Sequence, residues 1–254
     1  MLDSLRTTLV MIELELRRLK HDRTELYTRA IQPILWIVVY GTIMSSIAAI
    51  PTGGIPYTDF ITPGILIQST TFVSIFYGLT IVWERDSGIL KKLLVTPASR
   101  YATVIGRSMA SGVRAVFQAL IIVPVALLVG VNFFPNIVYF VLALLIVFFA
   151  SGGFAAISIL IASFLKTRER FMGIGQAITF PLFFASNALY PVSIMPPILQ
   201  EFSRFNPMSY IVDAVRGLMI SGNLSNLPID LLAIALFDTA MFVLASISFK
   251  RIVE

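Results

Sequence analysis

No cysteine occurs among the 254 residues. Disulfides, thiolate metal sites and cysteine nucleophiles are therefore excluded. Histidine is nearly absent too: His21 stands alone within "RRLKHDR", outside any apolar run. That excludes a histidine-rich metal site at membrane depth, and it argues against intramembrane proteolysis, which needs a histidine or paired acids there. Charge is scarce, at 13% of residues against about 25% in a soluble domain, while 57% of residues are hydrophobic. So little charge cannot cover a water-facing surface of this size. No G-x-x-x-x-G-K-S/T string occurs, so the chain has no Walker A loop to cradle nucleotide phosphates.

What the chain does have is long apolar runs. Crossing an oil layer of roughly 30 Å takes about 20 helical residues. Six runs reach that length, at about 30–50 ("AIQPILWIVVYGTIMSSIAAI"), 59–83, 104–130, 137–164, 171–190 and 229–249. They are continuous rather than alternating, which disfavours a barrel. Backbone groups in lipid must then be satisfied within helices. The expected fold is an all-α polytopic membrane protein with a transmembrane domain over 30–250. The first 29 residues lack the order of charged, apolar and small residues that marks a cleavable signal, so the first span is expected to direct insertion itself.

Orientation follows from the cations. Arg6, Arg17, Arg18, Lys20, Arg23 and Arg29 precede the first span. Arg85, Lys91, Lys92 and Arg100 lie between the second and third, Lys166, Arg168 and Arg170 between the fourth and fifth, and Lys250 and Arg251 after the sixth. The opposite side holds only Arg204 and Arg216. The positive-inside rule places both termini and the 83–100 connection in the cytoplasm, and the chain is expected in a plasma or inner cell membrane. The net charge of +5 thus reflects topology, and no nucleic-acid partner is expected. Arg107 and Arg114 fall inside the third run. Arg114 is expected to snorkel back to the interface, the alternative being a charge facing a conduction path.

Leu5, Leu9, Ile12, Leu16 and Leu19 recur at helical spacing within residues 1–29. That segment reads as an amphipathic helix in the membrane interface, in contact with lipid. The connection "WERDSGILKKLLVTPASR" (83–100) carries Ile89, Leu90, Leu93 and Leu94 on one helical face. Residues 191–228 are apolar but broken by Pro191, Pro196, Pro197 and Pro207. Pieces of about ten residues are too short to span and fit external re-entrant helices, with Asn206-Pro207 between two of them.

Two strings carry a resemblance. Tyr190, Pro191, Pro196, Asn206, Pro207, Tyr210, Asp213 and Arg216 match the signature of the ABC-2-type transport permeases, the membrane subunits of ATP-driven exporters. Glu84, Arg85, Asp86, Gly88, Leu90, Leu93, Leu94, Thr96 and Pro97 resemble that family's second motif, ahead of the third span. The chain is most similar to the daunorubicin-resistance and nodulation-factor exporter type. The resemblance implies two permeases, identical or different, around a central path for a drug, lipid or lipid-linked sugar. It also implies a cytoplasmic ATPase that carries the ATP and Mg and docks on a coupling helix at about 86–96. This chain would bind no cofactor or metal and would not itself be an enzyme.

Polar residues within the runs are the remaining candidates. Asp238 lies near the middle of the sixth span, where a carboxylate costs roughly 2.5–3.5 kcal/mol on insertion scales. It is expected to face the bundle interior, protonated or hydrogen-bonded to a neighbouring helix. Gln176 and Asn187 are candidates for the substrate path, and Gln68 and Gln118 for helix-to-helix bonds. An ion-gradient-driven transporter with Asp238 as coupling carboxylate is the competing expectation. Gly152-Gly153, Gly173 and Gly175 are expected to permit close helix packing.

Overall fold

The computed structural model describes residues 2–21, 23–47, 50–87, 100–165 and 167–249, and every regular element among them is a helix. Helix α1 (Leu2–His21) is followed by α2 (Arg23–Leu35), which runs through a wide π turn (Trp36–Gly41) into α3 (Thr42–Ile47). Pro33 lies just before the wide turn, where its missing N–H loosens the bonding ladder. Thr42 Oγ1 donates to the Val38 carbonyl at 2.5 Å and the Val39 carbonyl at 3.1 Å, fastening the end of the wide turn.

Helix α4 (Tyr57–Asp86) is the central element, packed by α2, α5, α6, α7 and α9. Two glycines on it allow this. A Cβ on Gly64 would collide with the Ala188 backbone, and one on Gly78 with Ser158. The Gly78 N–H donates to Ser158 Oγ at 2.8 Å, and that hydroxyl donates to the Ile75 carbonyl, so α6 is bonded to the α4 backbone. Helices α5 (Arg100–Leu128) and α6 (Ile137–Phe164) complete the core. Asn136 caps α6, its side-chain oxygen accepting from the Val138 and Tyr139 N–H groups.

After α7 (Arg168–Phe184) come a 3-10 turn (Val192–Ile194), α8 (Pro197–Phe205), α9 (Pro207–Arg216) and a π turn (Gly217–Ser221). Helix α10 (Leu227–Ser248) closes the described chain. Among the described residues, five stretches are long and apolar enough to cross a membrane: Tyr27–Ile47, Tyr57–Arg85, Tyr101–Leu128, Ile137–Phe164 and Leu227–Ser248. The expected run at 171–190 is helical only as far as Phe184. Pro181 sits in its last turn, and Ala185 to Ala188 fold into successive turns against α4. Large apolar side chains stay exposed on the outer faces of α2, α6 and α10, among them Ile31, Ile137, Leu232 and Leu236. Such a belt suits lipid, not water.

Candidate functional site: two polar clusters at opposite ends of the bundle

The first cluster joins α1, α4 and α5. The face of α1 that meets α5 is made by Thr8, Met11, Glu15 and Leu19, spaced one turn apart. Leu9 and Leu16, from the expected apolar stripe, are exposed on the other side. Glu15 is buried, and Arg114 Nε donates to it at 2.7 Å. Tyr77 of α4 donates its hydroxyl to the other Glu15 oxygen at 3.4 Å. Arg114 thus reaches to α1 and not to open solvent. It is buried because an acid on α1 meets its charge where it stands. One turn-pair further out, Arg107 donates to Glu84 at 2.5 Å, and Arg18 lies 3.8 Å from the same carboxylate. Removing one partner of a buried pair costs about 3–5 kcal/mol, because the other charge is left without compensation.

A cleft of about 510 Å³ opens beside these pairs, lined by Arg18, His21, Arg29, Phe76, Thr80 and Trp83. A second cleft of about 290 Å³, between α2 and α4, is lined by Gln32, Gln68, Ser69 and Phe72. Arg168 stacks over the Trp83 ring at 4.0 Å, tying the start of α7 to the end of α4. Of the expected coupling residues, Glu84 thus holds Arg107, and Arg85 ends the same helix. The side chain of Asp86, and all of Gly88, Leu90, Leu93, Leu94, Thr96 and Pro97, lie outside the described residues.

The second cluster gathers the signature residues. Arg216 at the end of α9 donates to the Asn187 carbonyl at 2.7 Å, the Phe60 carbonyl at 3.2 Å and Asp213 at 3.3 Å. Its guanidinium lies 3.9 Å from the centre of the Phe60 ring. A planar fork with several donors can serve all of these at once. Asn187 donates to Asp213 at 2.8 Å. Burial raises the Asp213 carboxyl above its usual range, while Arg216 and Asn187 pull it back. Burial also lowers Arg216 to about 10, which leaves it charged near neutral pH. Asn206 caps α9 through the Met208 N–H and donates to the Leu182 carbonyl at 2.7 Å. Tyr190 and Tyr210 donate to the Phe184 and Arg204 carbonyls at 2.6 and 2.5 Å. Pro191 and Pro196 sit ahead of the 3-10 turn and α8, and Pro207 is the first residue of α9. The arrangement is a knot of short bonds holding the irregular backbone of 185–226 against α4 and α7.

Other candidates fall elsewhere. Asn187 is buried within this chain's own bundle, whereas Gln176 is exposed on α7. Gln118 donates to Ser69 Oγ at 3.2 Å, a bond between α5 and α4. Asp238 faces inward at 8% exposure, but its Oδ1 finds no partner among the described residues. The expected bond to a neighbouring helix is missing there because the facing position is Gly153, whose place a Cβ would take from that oxygen. A glycine offers only backbone already committed to its own helix.

Glu15 went unnoticed in the sequence because it is one of several charges on an amphipathic segment. The signal was indirect. Two arginines inside an apolar run require counter-charges, and Glu15 and Glu84 supply them.

The ABC-2 type transporter family matches residues 6–220. A protein of Cyanophora paradoxa named as the transport permease ycf38 is 28% identical, over 93% of this chain and 85% of its own length. A protein of Mycobacterium tuberculosis named as the doxorubicin resistance ABC transporter permease DrrC is 25% identical, over 85% of this chain and 77% of its own. The daunorubicin resistance ABC transporter permease DrrB1 of Streptomyces coeruleorubidus is 25% identical, over 79% and 70%. With that match and five apolar helices of spanning length, the chain belongs to the ABC-2 type transporter family and is a multi-pass membrane permease.

Proposed function

We propose that the chain is the membrane-spanning permease subunit of an ATP-binding-cassette exporter for a hydrophobic or amphipathic compound. A separate cytoplasmic ATPase binds the ATP and Mg, and a second permease copy completes the substrate path. In this reading α7 is the fifth of six spans, both termini face the cytoplasm of a cell-membrane protein, α1 lies in the inner interface, and 191–228 enters from outside as re-entrant helices. The names of the daunorubicin and doxorubicin relatives support the substrate class.

The observation that carries the reading is a pair of salt bridges, one buried and one partly buried. Glu84–Arg107 joins the last turns of α4 to the first turns of α5, across the connection that bears the coupling motif. Glu15–Arg114 fastens α1 to the same α5. A push on Glu84, Arg85, Asp86, Gly88, Leu90, Leu93, Leu94, Thr96 and Pro97 therefore reaches α1, α4 and α5 together. The Leu90, Leu93 and Leu94 face suits a groove on the ATPase, as in helix-in-groove recognition. Gln176 supports a two-copy path, being a polar side chain exposed between Met172 and Phe180 on α7.

The test is co-purification with a candidate ABC ATPase from the same operon, followed by uptake of a fluorescent amphipathic drug into inside-out vesicles. Uptake should require ATP hydrolysis. Uptake that persists without nucleotide and collapses with the proton gradient would favour the second reading, a secondary transporter using Asp238. That reading is kept because Asp238 Oδ1 is buried without a partner among the described residues.

A further inference from the structure

Between α9, the π turn after it and the start of α10 lies a cavity of about 130 Å³. Asp213, Arg216, Ser221, Asn223, Asn226 and Asp230 line it. Asp230 stands in the first turn of α10 and is only 4% exposed. Its carboxylate has no hydrogen bond or ion pair among the described residues, yet it opens onto this cavity. An acid in the first turn of a helix commonly serves the helix dipole, but from solvent. This one is buried and shares its cavity with a second carboxylate, Asp213, whose side chain is 43% exposed.

The charges do not balance. Arg216 is engaged with Asp213, with two backbone carbonyls and with the Phe60 ring. Its single positive charge answers one carboxylate, which leaves the other uncompensated. A buried carboxylate without a partner is costly, and a cation removes that cost. Size narrows the choice. A drug-sized ligand needs about 300–1,000 Å³. A water occupies about 30 Å³, so this cavity takes one ion and a few waters. Two carboxylates with amide and hydroxyl oxygens, and no nitrogen or sulfur ligand, form the donor set of a hard cation.

We propose that this cavity binds a divalent hard cation of the calcium type, held by Asp230 and Asp213 and completed by the neutral oxygens of Ser221, Asn223 and Asn226 with water. The ion fastens the first turn of α10 to α9 across the irregular stretch between them.

The test uses the full chain in lipid nanodiscs after chelation. Radiolabelled calcium binding and the melting temperature are followed during titration with calcium, with choline chloride at matched ionic strength as control. The expected result is saturable binding of one ion per chain, at roughly 0.1–1 mM as in extracellular calcium modules, together with a rise in melting temperature. Asp230→Asn, nearly isosteric, should weaken binding at least tenfold, while Glu201→Gln on α8 should not change it. If Asp230→Asn does not fold, Asn226→Ala serves in its place and should weaken binding several-fold. Absence of saturable binding overturns the proposal, as does unchanged affinity in Asp230→Asn. Stabilisation by acid in place of metal also overturns it, since a shared proton would then be the occupant. Because binding is measured from both faces of the disc, the result does not depend on which side of the membrane the cavity faces.

Discussion

Single residues set the most direct tests. Glu15 and Arg114 are both buried, so Glu15→Gln strands a guanidinium, and a loss of about 3–5 kcal/mol is expected from thermal melts in detergent. Adding Arg114→Leu to that variant should recover most of the loss, since two neutral groups carry no such penalty. A double variant no more stable than Glu15→Gln would show that the pair is not the source. Gly64 and Gly173 make a second contrast. A side chain at Gly64 meets the Ala188 backbone, whereas nothing lies within 4 Å of one at Gly173. Gly64→Ala should lower folded yield and melting temperature clearly, and Gly173→Ala should leave both within experimental error. At Asp238, the facing Gly153 has no room to yield. Drug efflux should survive Asp238→Asn, which fits the same space, and fail in the branched and apolar Asp238→Leu.

At the scale of elements, the coupling segment and the signature knot behave differently. Leu93→Asp combined with Leu94→Asp should abolish pull-down of the ATPase while membrane insertion continues; unchanged pull-down would remove the docking role. Arg216→Lys keeps the charge but cannot reach two carbonyls and a carboxylate from one planar fork. Limited proteolysis should then cut within 185–226 faster than in the parent chain. The sequence exposed much of the element plan. Long apolar runs located the five spanning stretches, and the prolines of 191–207 located the breaks, because lipid and proline act through local rules that need no partner. The end of α7 at Phe184 was less legible, since what turns the chain there is contact with α4 through Gly64. The polar clusters were legible as residues but not as pairings. Arg216 was visible as a signature position, whereas the carbonyls of Phe60 and Asn187 that it holds are backbone atoms of distant segments. Glu15 with Arg114 could be matched only once α1 was laid along α5.

For the whole molecule, the absence of cysteine becomes an experimental advantage. Gln176→Cys introduces a single thiol on the exposed face of α7. If two copies meet along that face, mild oxidation should give a disulfide-linked dimer in membranes, whereas Leu232→Cys on the outer face of α10 should stay monomeric. A dimer from Leu232→Cys alone would move the two-copy contact to the other side of the bundle. Such measurements need a common reference, and α4 provides one. It touches most of the other helices, and its spanning stretch is 78% buried, against 22% for the stretches ending in α3 and α10. Mechanically, α4 is the axle of this protein. A distance probe that pairs its buried middle with an outer helix reads that helix's displacement relative to the core, whereas a pair of outer probes reads only the difference between two peripheral parts.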